Sequence, residues 1–123
     1  MFQVTTTVTA QQVADLIVGA IEGGSTYWCS EYNILKTPAE VVPNGVVVYS
    51  HPEFWAGDFE IEFKDGEDDD KSHTITPEVL KKGIQVMAEK APRHFRDWMQ
   101  ENDDAETSDV FLQCILFGEI VYG

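Results

Sequence analysis

The chain has 123 residues, and 22 Asp and Glu against 8 Lys and Arg give it a formal charge of −14. That charge repels nucleic acid and anionic membrane and attracts basic surfaces. At 43% hydrophobic residues it is too apolar for a disordered acidic tail, and its length suits one core rather than two, so residues 1–123 read as a single domain. The apolar runs at 46–49 and 110–117 are too short to span a bilayer. The N-terminal MFQVTTTVTAQQ lacks the basic and apolar regions of a signal peptide, which gives a cytosolic address by default. Cys29 and Cys114 each sit beside large apolar residues and are expected as free, buried thiols.

Phe2, Val4, Thr6 and Val8 alternate with polar neighbours, the pattern of a half-buried strand. Thr9 and Gln12 form a capping box. The helix behind it carries Val13, Leu16, Ile17, Ala20 and Ile21 on one stripe. Gly23 and Gly24 are expected to stop it in the left-handed cap conformation. Aromatic-rich residues 26–34 predict a second strand, with Trp28 and Tyr32 on one face and Tyr27 on the other. Residues 36–44 are a loop punctuated by Pro38, Pro43 and Asn44-Gly45. Residues 45–50 read as a short apolar strand, and residues 52–57 break the pattern.

Phe59, Ile61 and Phe63 then alternate with Glu60, Glu62 and Lys64, predicting a strand with one wet face. Asp65-Gly66 turns the chain, residues 67–70 form an acidic tip, and residues 73–75 return as a partner strand. The second half switches to helical spacing. Thr76 is the expected N-cap with Pro77 at the first helical position. Leu80, Ile84, Met87, Ala88 and Ala91 form its buried stripe. Pro92 starts another helix with Phe95, Trp98 and Met99 inward. Residues 101–109 read as a polar connection with capping residues at Asp104, Thr107 and Ser108. Residues 110–117 read as a final apolar helix ended by Gly118, before an extended tail at 119–123. Strands first and helices later predict an α+β fold: an antiparallel sheet of about four strands with three to four helices on one face.

Two constellations stand out as partner or ligand sites. Glu60, Glu62, Glu67, Asp68, Asp69 and Asp70 form the strongest single-sign patch. It is either a solubilising, edge-protecting loop or a docking surface imitating the charges of a nucleic-acid backbone. Arg93, His94 and Arg96 oppose the global charge at a helix start, where arginine forks and free N–H groups suit phosphate. The alternative is that both arginines pair with Asp97, Glu89 or Glu101 on a helical surface. Tyr27 and Trp28, after the paired glycines, are either core residues or a stacking platform for a base.

The carboxylates at 101–109 lack the glycine and ligand order of a calcium loop. The three histidines lack zinc spacing, so no metal is expected. Phosphate-loop and nucleophile-elbow motifs are missing, so neither a catalytic set nor a cofactor is expected.

Several segments together carry a resemblance: Glu22-Gly23-Gly24 with Tyr27-Trp28, Gln85-Val86-Met87-Ala88-Glu89-Lys90, Pro92-Arg93-His94-Phe95, and Glu101-Asn102-Asp103-Asp104-Ala105. Asp109-Val110-Phe111-Leu112-Gln113-Cys114 and Gly118-Glu119-Ile120-Val121-Tyr122-Gly123 complete it. On these segments the chain resembles a family of small acidic proteins of tailed phages. The resemblance implies a phage origin and a host-cytoplasm address, and it brings no established activity. Counter-defence follows from it by analogy alone.

Three functions are then expected in order. The first is a non-enzymatic acidic inhibitor that binds a host defence protein with a basic surface, of the anti-CRISPR or nucleic-acid-mimic type. The second is a homo-oligomeric sponge that sequesters a nucleotide second messenger, a cyclic nucleotide or cyclic ADP-ribose variant, through Tyr27, Trp28, Arg93, His94 and Arg96. The third is a phage assembly accessory protein. Neither direct nucleic-acid binding nor a membrane enters any of them.

Overall fold

The computed structural model describes residues 5–123, and the fold is α+β. Helix α1 (Ala10–Gly19) starts at Thr9, whose hydroxyl accepts from the Gln12 backbone N–H while the Gln12 side chain accepts from the Thr9 N–H. It runs into a π-helical turn, Ala20–Gly24. Strand β1 (Cys29–Lys36) follows, then a 3-10 turn (Val48–Ser50) and a short helix α2 (Pro52–Ala56). Strands β2 (Glu60–Asp65) and β3 (Lys71–Ile75) form a hairpin. Helices α3 (Pro77–Lys90), α4 (Pro92–Met99) and α5 (Ala105–Phe117) complete the chain. Among the described residues no helix is long and apolar enough to cross a membrane.

Among the described residues the sheet has three antiparallel strands in the order β1-β2-β3, near the expected four or so. Of the N-terminal strand predicted from Phe2, Val4, Thr6 and Val8, Phe2 and Val4 lie outside the described residues. Residues 5–9 form no strand. The strand predicted at 45–50 does not form: residues 45–47 are irregular and residues 48–50 are the 3-10 turn. Ser50 and His51 donate to the carbonyls of Val47 and Val48, and Trp55 Nε1 donates to the Tyr49 carbonyl at 2.8 Å. These local bonds use the backbone groups a strand would have offered to a neighbour. Val46 and Val47 are left exposed while Tyr49 is buried.

On β2 the predicted alternation holds: Ile61, Phe63 and Asp65 are buried, and Glu60, Glu62 and Lys64 are half-buried. The buried side joins Phe59, Ile75 and the inner faces of the helices in one core. Helix α5 lies at its centre, with an unbroken buried run from Thr107 to Ile115. Its N-terminus corrects the predicted start at Val110. Of the expected caps Asp104 is the N-cap, accepting from the Thr107 N–H at 2.9 Å, whereas Thr107 and Ser108 lie inside the helix together with Asp109. Those bonds from the Thr107 backbone and hydroxyl also hold the Asp104 carboxyl below its ordinary pKa.

Glycines let other elements close onto α5. A Cβ at Gly83 of α3 would collide with Ile115, and one at Gly24 would collide with the Ala105 carbonyl oxygen. This corrects the expected role of the Gly23-Gly24 pair. Neither has a positive φ, so they are not a left-handed cap, and Gly24 is needed for backbone approach. The left-handed cap is at Gly118, φ 73°, which ends α5 where predicted.

Candidate functional site

The acidic hairpin is built from the turn upward. Asp65 is buried at 3% exposure at the end of β2. Its Oδ1 accepts from the Glu67 backbone N–H at 3.0 Å and its Oδ2 from the Tyr122 hydroxyl at 2.7 Å. Asp68 N–H donates to the Asp65 carbonyl, and Lys71 N–H to the Asp68 carbonyl. Asp69 and Asp70 occupy the left-handed region at φ 52° and 54°, which short polar side chains tolerate. Ser30 Oγ of β1 donates to Asp70 Oδ1 at 2.7 Å. Glu67, Asp68, Asp69 and Asp70 are therefore exposed on a turn whose backbone is fixed from both sides.

Glu60 and Glu62 lie on the wet face of the same sheet, where the charge is mixed. Lys64 pairs with Glu31 at 2.8 Å, Lys36 pairs with Asp58, and Asn33 Nδ2 donates to Glu62 Oε1 at 3.0 Å. Hydrogen bonding to those carboxylates raises the pKa of both lysines.

The arginine-aromatic constellation is only partly brought together. Tyr27 and His94 line one groove of about 610 Å³ with Glu106, Asp109 and Tyr122. Arg93 lies beside it in a smaller cleft of about 300 Å³, together with His94, Asp97, Asp104 and Glu106. Arg96 lines neither. Among the described residues no carboxylate is within ion-pair distance of Arg93 or Arg96, so the expected surface pairs are not formed. His94 Nε2 is 4.0 Å from Glu106 Oε1, and its Nδ1 is buried with no hydrogen-bond partner.

Trp28 separates from Tyr27. It is 1% exposed, stacks on Tyr122 at 5.7 Å and packs against Phe117. It is a core residue and cannot stack on a ligand, whereas Tyr27 is 51% exposed.

Beneath the groove lies an arrangement that spacing alone did not reveal. The buried Asp109 carboxylate accepts from Ser25 Oγ (2.8 Å), Trp28 Nε1 (2.7 Å), Tyr27 Oη (2.5 Å) and Gln113 Nε2 (3.0 Å). Partial burial, then the bond to Asp109, pushes the Tyr27 phenol up to about 12. Gln113 is fully buried, and its Oε1 accepts from the backbone N–H groups of Val121 and Tyr122, both at 2.8 Å. Its Nε2 also donates to the Tyr122 carbonyl at 3.1 Å. The amide thus clamps the tail as a strand neighbour would.

The signal for this arrangement was available in part. Asp109 and Gln113 stand four apart in an otherwise apolar helix, and Ser25, Tyr27 and Trp28 are a cluster of donors. With four donors on one carboxylate, Asp109 is a structural acceptor and has no free lone pair suited to a general base. Both cysteines are free thiols. Burial, followed by the nearby Asp65 charge, pushes Cys29 up to about 11, and burial raises Cys114. Neither is an activated nucleophile.

No protein-family model, curated protein or solved structure matches the chain.

Proposed function

We propose that the chain is a non-enzymatic, phage-type anti-defence protein that acts in the host cytoplasm. It binds a host defence protein through its carboxylate surface and blocks the basic, nucleic-acid-binding face of that partner. The observation that carries this reading is the order of the acidic tip. Four consecutive carboxylates project from a turn fixed by Asp65, Lys71 and Ser30. Fixed charges lose less freedom on binding than a mobile acidic loop would. Glu60 and Glu62 extend the array along β2 at a strand repeat of about 6.6 Å.

Association should be fast and strongly salt-dependent. The test is capture from host lysate at low and high salt, comparing the native chain with one carrying Glu60→Lys, Glu62→Lys, Glu67→Lys and Asp68→Lys. The partner should be lost with the reversed chain and with high salt. Capture unchanged by the reversals discards this surface.

A second reading is favoured by one observation, the shared groove of Tyr27 and His94 with Arg93 adjoining. It is an oligomeric sponge for a nucleotide signal, with Tyr27 stacking on the base and Arg93 reaching a phosphate. Glu106 and the overall charge oppose an anion there. Calorimetry against cyclic nucleotides and cyclic ADP-ribose variants decides it, and silence across that panel removes it.

A further inference from the structure

Strand β1 is an edge. The order β1-β2-β3 leaves one side of it without a neighbouring strand among the described residues. Nor does any loop backbone among them bond to residues 30–36. Register shifts at Cys29/Glu31 and Ile34/Lys36 bracket four regularly paired residues, Glu31, Tyr32, Asn33 and Ile34. Their two faces differ in chemistry. Tyr32 and Ile34 lie opposite Phe63 and Ile61, on the apolar face. Glu31 and Asn33 lie opposite Lys64 and Glu62, on the wet face. On the apolar side a groove of about 500 Å³ opens beside the strand, lined in part by Ile21, Thr26, Cys29 and Tyr32.

We infer that this edge accepts a short, extended, basic segment of the partner protein as an added strand. The inference rests on the acidic-surface reading above and deepens it by naming the form of the partner's contact. An open edge offers main-chain donors and acceptors in a row, and a peptide backbone satisfies them whatever its sequence. The alternation of side chains then selects the sequence. Residues of the added strand beside Glu31 lie on the wet face, next to a carboxylate that Lys64 shares and near the exposed tip that Asp70 ties to Ser30, and are Lys or Arg. Residues beside Tyr32 and Ile34 lie on the apolar face, where Tyr32 lines the groove, and are apolar. The bracketing shifts keep regular pairing short, since a bulge bends the strand away from a longer partner. A second copy of this chain fits worse, because its β1 would bring Glu31 and a charge of −14 against like charge.

The test uses a short capped peptide of alternating Lys and Val, and the same peptide N-methylated at alternate residues. Both carry equal charge, but only the first can form a ladder. Binding is read from amide shifts and hydrogen exchange in the full chain. The unmethylated peptide should protect amides within Glu31, Tyr32, Asn33 and Ile34 and bind about tenfold more tightly or better, from two or three ladder bonds. Glu31→Lys should weaken it several-fold.

Equal binding of both peptides, centred on the acidic tip, overturns the added strand while leaving the acidic surface in place. Binding by neither peptide overturns the edge, and the host-lysate capture then judges the acidic surface separately. A chain that sediments as a dimer with the same amides protected gives the edge to a second copy and equally overturns the inference.

Discussion

Asp109 and Asp69 are the same side chain in opposite circumstances. Asp109 lies inside α5 with 7% exposure and four donors on its carboxylate. Asp69 stands in solvent at the tip of the β2-β3 hairpin, on a left-handed backbone. Asp65 and Asp70 repeat the contrast across one turn. Asp65 is buried between the Glu67 amide and the Tyr122 hydroxyl, whereas Asp70 is exposed and touches only the rim of β1 through Ser30. A formal charge of −14 therefore counts two kinds of carboxylate. A few organise the chain around α5 and its tail, and others, such as those of the acidic tip, stand exposed on the face proposed to meet a partner. The first kind should be intolerant of substitution and indifferent to partners, and the second the reverse.

The sharpest way to break this division is Asp109→Ala. It leaves the Ser25 hydroxyl and the Trp28 indole N–H buried without an acceptor, and each orphaned donor costs about 1–3 kcal/mol. A loss of roughly 3 kcal/mol is expected in urea unfolding, with quenching or shift of Trp28 emission. A loss near that of a surface substitution, about 0.5 kcal/mol, would mean the network contributes little. The next effect separates two adjacent glycines. Gly24→Ala drives a Cβ into the Ala105 carbonyl at the start of α5 and should cost about 1–3 kcal/mol. Gly23→Ala meets open space and should lie within about 0.5 kcal/mol of the parent or above it. Equal costs at the two positions would show that backbone approach to α5 is not what Gly24 provides.

The legibility of the fold in the sequence followed the same boundary. Local rules placed the capping box at Thr9, the wet-faced strand β2, the turn at Asp65-Gly66 and the Thr76-Pro77 start of α3. Each of these depends on neighbours a few residues away. What went unread depends on contacts between distant segments. Asp109 falls at the end of the stretch that reads as a polar connection, because Asp favours helix starts and turns over helix interiors. Its true partners, Ser25, Tyr27 and Trp28, are more than eighty residues away. The 45–50 run was read as a strand because its valines fit a pleated surface. Among the described residues no neighbouring strand takes them, and the Tyr49 carbonyl bonds Trp55 instead. Of the sites, the acidic tip was legible because four consecutive carboxylates after a turn signal have no set of donors in the nearby sequence to bury them. The Tyr27–His94 groove was legible as residue types, but only the fold put Trp28 in the core and left Arg96 apart.

Alkaline titration sharpens the comparison from the buried side. Tyr122 is pushed up to about 12, first by its hydrogen bond to Asp65 and then by burial, and Tyr27 likewise to about 12 by burial and its bond to Asp109. In the unfolded chain both phenols ionise near 10. The folded state therefore holds their protons more tightly. The stability this gives is complete below about pH 10 and is lost as pH rises through about 12. Tyrosinate absorbance should lag that of free tyrosine until the fold opens, and unfolding midpoints should fall over that window. Phenols that ionise near 10 with the fold intact would break the link between these two tyrosines and the buried carboxylates.

The smallest stability effect is expected where the largest binding effect is proposed. Glu67→Lys with Asp68→Lys changes two exposed side chains. The bonds that shape the turn there come from the backbone of those residues and from Asp65. Exposed substitutions of this kind lie within about 0.5 kcal/mol, and relief of like-charge repulsion pulls the sign toward stabilisation. The same pair should reduce capture of a basic partner and flatten its salt dependence, because the removed charges supply the attraction. Thermal unfolding and capture measured on one preparation keep the two readouts apart. A marked loss of stability would mean that the tip carboxylates hold the hairpin together. Unchanged stability with reduced capture is the pattern of a face built for contact, since a charge that costs the fold nothing to reverse is free to be selected by the surface it meets.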